Sequence, residues 1–375
     1  MPTDTHLTVA HVSTRRDWYG GELQAYLLLR WLCEQGHRCV IYARRGGEFA
    51  RRLRNEGFDV ETFRGNGRDP YSVWRLRRRL AALKPDIVYF QDAHALTSGG
   101  LAALGLDIGA RVAARRSQYV PRFGAKYRYL CDLVIAVSEA IAESCYAGGV
   151  PRKQVRVVYD GVEPGRVQSG SRERGRRSLA VGKDDRLLVV VASLERAKGH
   201  TDLLKALPHV FREYPQARVV LAGDGSLRES LVNQARRLGI GDRVGFLGYR
   251  HDVPDLLHAA DLFILPSRVE PLGSSIIDAM FARVPIVTTI TGGIPELVGP
   301  SDGEPAVAFL APAGDPASLA EAILEALGSP QICRRMVEQA ETRALRRFTA
   351  DTMIRETVSL YCKLVDGRRG GAVSS

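Results

Sequence analysis

This chain of 375 residues lacks any apolar run of membrane-spanning length; its longest, such as Leu187-Leu188-Val189-Val190-Val191-Ala192, are the size of a strand. Its six cysteines (33, 39, 131, 145, 333 and 362) include no Cys-x-x-Cys pair and no grouping with histidine at metal-ligand spacing. That leaves buried, reduced thiols as the expectation. The start, Met1-Pro2-Thr3-Asp4-Thr5-His6, has neither a basic head nor an apolar signal core, so a cytoplasmic chain is expected. No Asp-x-Asp occurs, and no repeat of solenoid period is apparent. No recognised nucleic-acid-binding motif accompanies the arginine runs, so no nucleic-acid partner is expected.

What is present reads as a globular α/β protein. The length favours two domains of about 160–190 residues each. Hydrophobic residues make up 45% and charged residues 25% of the chain, the balance of a water-soluble fold. The net charge of +11 is uneven: residues 1–160 hold 25 Lys+Arg against 16 Asp+Glu, and residues 161–375 hold 28 against 26. The excess gathers in Arg44, Arg45, Arg51, Arg52 and Arg54, in Arg75, Arg77, Arg78 and Arg79, and in Arg111, Arg115, Arg116, Arg122, Lys126 and Arg128. Such a face suits an anionic membrane surface, an acidic, lipid-linked acceptor or nucleic acid; an ordinary solvated surface is an equal reading of any single cluster.

Short apolar runs alternate with helix-length segments, the pattern of parallel α/β layering. Strands are predicted at Leu7–Val12, Cys39–Ala43, Asp86–Phe90, Ala110–Ala114 and Leu133–Val137. In the second half they are predicted at Leu187–Ala192, Arg218–Ala222, Val244–Leu247, Leu262–Leu265, Pro285–Thr289 and Ala306–Leu310. Asp160–Lys183, rich in Gly, Ser and Arg, reads as an exposed interdomain hinge. The boundaries are therefore 1–160, 161–350 and an amphipathic tail helix with its end, 351–375. Two open sheets joined by a hinge predict a ligand cleft at the carboxyl ends of the strands.

The most telling stretch is Pro266-Ser267-Arg268-Val269-Glu270-Pro271-Leu272-Gly273-Ser274-Ser275-Ile276-Ile277-Asp278. It sets two carboxylates eight residues apart across a strand, a tight loop and a helix start. Unpaired N–H groups at a helix N-terminus seat phosphate, and a carboxylate just before it accepts from sugar hydroxyls. The segment resembles the Glu-x7-Glu signature of the retaining family 4 glycosyltransferases of GT-B fold. Glu270 stands in the first position and Asp278 in the second. Pro285-Ile286-Val287-Thr288-Thr289 and Thr291-Gly292-Gly293-Ile294-Pro295-Glu296 resemble the strand and GG-x-PE turn that follow.

The resemblance implies two Rossmann-like, doubly wound domains facing each other. The first reads the acceptor, the second holds a nucleotide-sugar donor, and the last helix crosses back to the first. It implies Glu270 near the reacting sugar and Asp278 on the ribose, with Leu272, Gly273 and Ser274 offering N–H groups to the distal phosphate. Gly20 and Gly21 resemble the glycine loop over the donor diphosphate, and Lys198 matches the Lys of the family's Gly-Arg-Leu-x3-Lys-Gly segment. Ala192 and Ser193 stand where that segment has Gly and Arg, so Arg196 is the candidate second cation. Gly223 resembles the turn beside the nucleotide, and the backbone of Tyr249 and Arg250 the contact to the base, with Asp252 able to cap the following helix. Asp92 and His94, after a strand, are candidates for holding the acceptor or a sugar hydroxyl.

The reaction implied is retaining transfer of a hexose from a nucleotide diphosphate, UDP favoured, to a glycan or lipid-linked hydroxyl in cell-envelope or lipopolysaccharide synthesis. Without Asp-x-Asp, neither a metal nor another cofactor is expected. Two alternatives share the same sequence features: a nucleotide-sugar epimerase or hydrolase, and a non-catalytic adaptor on a membrane surface.

Overall fold

The computed structural model describes residues 6–65, 67–121, 124–301 and 303–371, with backbone alone for 369–371. Arg122 of the third basic cluster lies outside the described residues. The chain forms two compact units, one running to Asp160 and resuming at Ala350, the other spanning Gly161–Thr349.

The first unit is built on seven strands: β1 (Thr8–Ser13), β2 (Arg38–Arg44), β3 (Asp59–Phe63), β4 (Ile87–Phe90), β5 (Ala110–Arg115), β6 (Leu133–Ala136) and β7 (Val155–Val157). They lie parallel in the order β3-β2-β1-β4-β5-β6-β7. Helices cover both faces, so central strands such as β4 are buried along their whole length and read as unbroken apolar runs. The helix Ala350–Gly371 belongs to this unit. It puts Met353, Ile354, Val358, Tyr361 and Val365 into the core formed by Leu7, Ile41, Phe49 and Val112.

The second unit has β8 (Arg186–Val191), β9 (Ala217–Ala222), β10 (Val244–Gly248), β11 (Leu262–Leu265), β12 (Ile286–Ile290) and β13 (Phe309–Pro312). Their order is β10-β9-β8-β11-β12-β13, again parallel. Both sheets are thus doubly wound. In each, consecutive connections run outward in opposite directions from one point, between β1 and β4 in the first and between β8 and β11 in the second. Opposed connections leave a crevice outside the strand ends at that point, where no crossover covers it.

Three sequence-based expectations are corrected. β3 and β7 were not foreseen, because both are edge strands, one half-buried and polar, the other three residues long. The last strand starts at Phe309 rather than Ala306 and ends on Pro312, which an edge tolerates. The supposed hinge Asp160–Lys183 belongs, from Gly161 on, to the second unit, and it holds the helices Pro164–Gln168 and Arg172–Ser178. It lacks an apolar stripe because charge and backbone contact bind it instead. Arg174 chelates Asp255, Arg172 and Arg176 reach Asp261, and a Cβ on Gly175 would stand 2.1 Å from the Asp255 carbonyl.

Of the cysteines, 39, 131, 145 and 333 are buried, whereas Cys33 is exposed; all six are free thiols. No helix among the described residues is long and apolar enough to cross a membrane.

Candidate active site

In the second unit the crevice between β8 and β11 gathers the segments that follow those strands. Glu270, in the loop after β11, is 4% exposed. Its Oε2 accepts from Lys198 Nζ at 2.6 Å and from Ser267 Oγ at 2.9 Å. Lys198 comes from the loop after β8, and backbone bonds join the two loops: Arg268 and Val269 N–H both donate to the Ala197 carbonyl, at 2.8 and 3.0 Å. Gly199 makes this approach feasible, since it sits at φ +67° and a Cβ there would lie 1.8 Å from the Pro266 carbonyl oxygen. Arg268 then clamps buried Asp202 through two bonds of 2.6 Å, fixing the loop to the helix His200–Glu213. From β12's side, Gly293 N–H donates to the Glu270 carbonyl at 3.1 Å.

Glu270 is followed by Leu272, which is buried, and Gly273, which begins the helix Ser274–Phe281 at φ +101°. A glycine cap has no side chain to occupy the first N–H groups, so those of Ser274 and Ser275 are free to meet an anion. One turn further in, Asp278 forms an ion pair with Arg166 from the helix Pro164–Gln168, the first of the two helices in the supposed hinge. Burial raises the Asp278 carboxyl above the ordinary aspartate range, and the Arg166 charge opposes that shift.

The remaining second-unit candidates divide. A Cβ on Gly223 would stand 2.0 Å from the Ala192 carbonyl, so this glycine lets β9's end press against β8's. The Ser193 carbonyl bonds the buried ring of His200 at 2.9 Å, and burial lowers the pKa of that imidazole. Arg196 is exposed, and its side chain forms no hydrogen bond or ion pair with a described residue. Tyr249 is exposed, edge-on to His251 at 5.0 Å. Arg250 chelates Asp252 at 2.7 and 2.5 Å. Asp252 therefore begins the helix Val253–Ala259 through its backbone, and no side-chain capping bond forms, contrary to expectation.

In the first unit the corresponding crevice lies outside β1 and β4 and opens into a cavity of about 520 Å3. Gly20 starts the helix Gly20–Glu34 beside it, with Glu22 bonding the Tyr19 N–H at 3.1 Å. The Gly21 carbonyl accepts from Gln91 Nε2 at 2.7 Å, and a Cβ on Gly21 would stand 3.2 Å from Arg116 Cδ. Asp92 has a structural task here. Its two oxygens accept from Thr14 N–H, Thr14 Oγ1, His94 N–H and Ala95 N–H at 2.6–3.0 Å, capping the helix Ala93–Ala103 and holding the loop after β1. His94 is exposed on the cavity wall.

Several partners were not legible beforehand. Ser267, Asp202 and Arg166 carry no motif of their own, and only the folded loops bring them to Glu270, Arg268 and Asp278. Arg15, Arg16, Arg44, Arg115 and Arg116 converge on the first-unit cavity from three strand ends. Their one sequence signal is position, each at or just past the carboxyl end of a strand.

Residues 171–343 match the family described as glycosyl transferases group 1, and residues 18–166 match glycosyltransferase family 4. The chain is 25% identical over 252 residues to an N-acetyl-α-D-glucosaminyl L-malate synthase of Bacillus anthracis, covering 67% of this chain and 64% of that one. It is 28% identical over 235 residues to an uncharacterized glycosyltransferase of Methanocaldococcus jannaschii, covering 61% and 59%. The matches thus span less than two-thirds of these relatives' lengths. Among solved structures, HepE of Anabaena in complex with UDP-glucose superposes with a TM-score of 0.82 at 25% identity, over 94% of this chain and all of that one.

Proposed function

This chain belongs to the family 4 glycosyltransferases of GT-B fold, and from that premise we propose that it transfers a hexose from a nucleotide-diphosphate sugar to an acceptor hydroxyl with retention of anomeric configuration. The observation that carries the reading is the buried Glu270–Lys198 pair set beside the uncapped N-terminus of the Ser274–Phe281 helix. The Anabaena neighbour binds UDP-glucose, which supports a uridine donor here. In the proposed reaction the bond from C1 to the phosphate oxygen breaks and its electron pair leaves with the diphosphate. The acceptor oxygen bonds C1 from the same face, and its proton passes to the departing phosphate. Lys198, Arg196 and the Ser274 and Ser275 N–H groups stabilise the charge that develops on the leaving group. Glu270 holds Lys198 and accepts from the sugar, and Asp278 faces the ribose with Arg166 behind it. No metal or other cofactor is called for in this scheme, since fixed cations and amides do the neutralising.

The acceptor belongs to the first unit in this reading, with His94 on the wall of its cavity and Asp92 shaping that wall. A cell-envelope glycan or a lipid-linked acceptor suits the basic surface. Tyr71 and Trp74, 66% and 51% exposed on the helix Pro70–Leu83, support attachment to an anionic membrane face, with the Arg78 guanidinium stacked 5.1 Å from the Trp74 ring. The test is nucleotide release from a panel of UDP-, GDP- and ADP-sugars by the wild-type chain and by Glu270→Gln. Release from one donor class that disappears in the variant is expected. Release that survives the substitution would remove Glu270 from the reaction, and failure to bind any nucleotide would end the transferase reading.

A further inference from the structure

The first-unit cavity differs from an ordinary polar crevice in having an uncompensated charge. Arg15, Arg16, Arg44, Arg115 and Arg116 line it, against two carboxylates, Asp17 and Asp92. Both Asp92 oxygens are already engaged by four donors, which aims its charge at the loop and helix it caps. The guanidinium groups of Arg15, Arg16 and Arg44 form no hydrogen bond or ion pair with a described residue. Elsewhere in the chain arginines so placed find acids, as Arg111 does on Asp132 and Arg268 on Asp202.

The wall behind them is unsatisfied as well. Arg115 is 7% exposed, and its Nε, the Nε of Arg116 and the Oε1 of Gln91 are buried without a hydrogen-bond partner. A buried donor left unpaired costs free energy, so donors kept that way at a cavity mark a site built for an acceptor atom. The arginines are also held in place. Gly47 packs against the Arg15, Arg44 and Arg16 carbonyls, where a Cβ would stand 3.1–3.4 Å away, and Glu48 N–H bonds the Arg16 carbonyl at 2.7 Å. Guanidinium forks lining one crevice match the planar, divalent geometry of carboxylate or phosphate.

We infer that the acceptor of this enzyme carries an anionic group, a carboxylate or a phosphate monoester, and that Arg15, Arg16 and Arg44 bind it in this cavity. The assignment rests on the transferase reading above and narrows its acceptor to an anionic hydroxy compound. Arg115 and Arg116 form the charged floor, and Arg116 is itself steadied by Asp160 at 2.8 Å.

Calorimetric titration of the full-length chain tests this with three four-carbon or three-carbon probes: tartrate, glycerol 3-phosphate and the neutral erythritol. UDP is titrated in parallel. At least one anion is expected to bind ten-fold or more tightly than erythritol, and to weaken as salt is raised. Which anion binds distinguishes a carboxylate from a phosphate acceptor. Arg44→Ala and Arg16→Ala are each expected to weaken it by about ten-fold or more, the usual consequence of losing a charge-assisted bond. Fluorescence of Trp18, Trp31 and Trp74, all in the first unit, reports that this unit is folded in the variants, and the UDP titration of the same samples reports the second. Anions no tighter than erythritol, or unaffected by both substitutions, would overturn the inference while leaving the donor reading intact. Anion binding that UDP abolishes by competition would also overturn it, because the cavity would then serve the donor diphosphate. A wild-type chain that binds no UDP or other nucleotide would overturn the transferase reading, whatever the anions do.

Discussion

Replacing Gly199 by alanine should damage the second unit well beyond the loss of a flexible residue. The backbone there is left-handed, which costs a non-glycine residue about 1–2 kcal/mol. The new methyl group would begin 1.8 Å from the Pro266 carbonyl oxygen, where a real Cβ is essentially never closer than 3.0 Å. The two loops must therefore separate by about 1.2 Å. That stretches the Arg268 and Val269 bonds to Ala197 and draws Lys198 away from Glu270. With about 1–3 kcal/mol for overpacking, the expected destabilisation is roughly 2–5 kcal/mol. Gly239→Ala is the control, in the same unit at φ +70° with nothing within 4 Å of its Cβ, and should cost only the dihedral term, about 1–2 kcal/mol. The three tryptophans, 18, 31 and 74, all lie in the first unit, so urea unfolding should be followed by far-UV circular dichroism. Amide exchange in β8 and β11 would localise the loss. If Gly199→Ala and Gly239→Ala agree within about 1 kcal/mol, the clash argument fails, and with it the claim that this glycine sets the Lys198–Glu270 geometry.

Lys198→Met should lower turnover by about 100-fold or more with little change in UDP affinity, as removal of a charge that acts on the leaving group requires; a rate within ten-fold of wild type would argue for a purely structural lysine. Turnover should persist in excess EDTA, and its loss there would mean that a metal supplies the neutralisation. Burial among Tyr89 and Phe49 lowers the pKa of His11 to about 3, against about 6.5 when unfolded. The unfolded chain then takes up this proton first, so the stability contributed by a neutral His11 is full above about pH 6.5 and declines as pH falls toward 3. Denaturation of wild type and His11→Phe across that range should show the variant gaining on wild type as the solution is acidified; parallel curves would refute the assignment. Cosedimentation with vesicles of anionic phospholipid should weaken in Trp74→Ser, and equal binding to neutral vesicles would remove the electrostatic component of membrane attachment.

The sequence by itself carried the parallel α/β class, most of the strands and the segment around Glu270, because these depend on short-range order. A buried strand between two helices is an apolar run wherever it occurs, and a strand–loop–helix with Gly273 at its cap is written in consecutive residues. Edge strands escaped, since β3 has only one neighbour to bury against and keeps its polar residues. The stretch after Asp160 was misread for a related reason. Its attachment runs through Arg174 to Asp255 and through the contact of Gly175 with a helix about eighty residues away, and neither leaves an apolar period to detect. Composition likewise located a basic first half but could not say which arginines act together. Only the tertiary structure separated Arg111, neutralised by Asp132, from Arg44, whose guanidinium pairs with no acid among the described residues. The same holds for the two carboxylates of the glycosyltransferase motif. Their spacing is a property of the chain, whereas the burial of Glu270 against Lys198 follows from two loops, and the pairing of Asp278 with Arg166 from two helices, that meet only when the second unit is assembled.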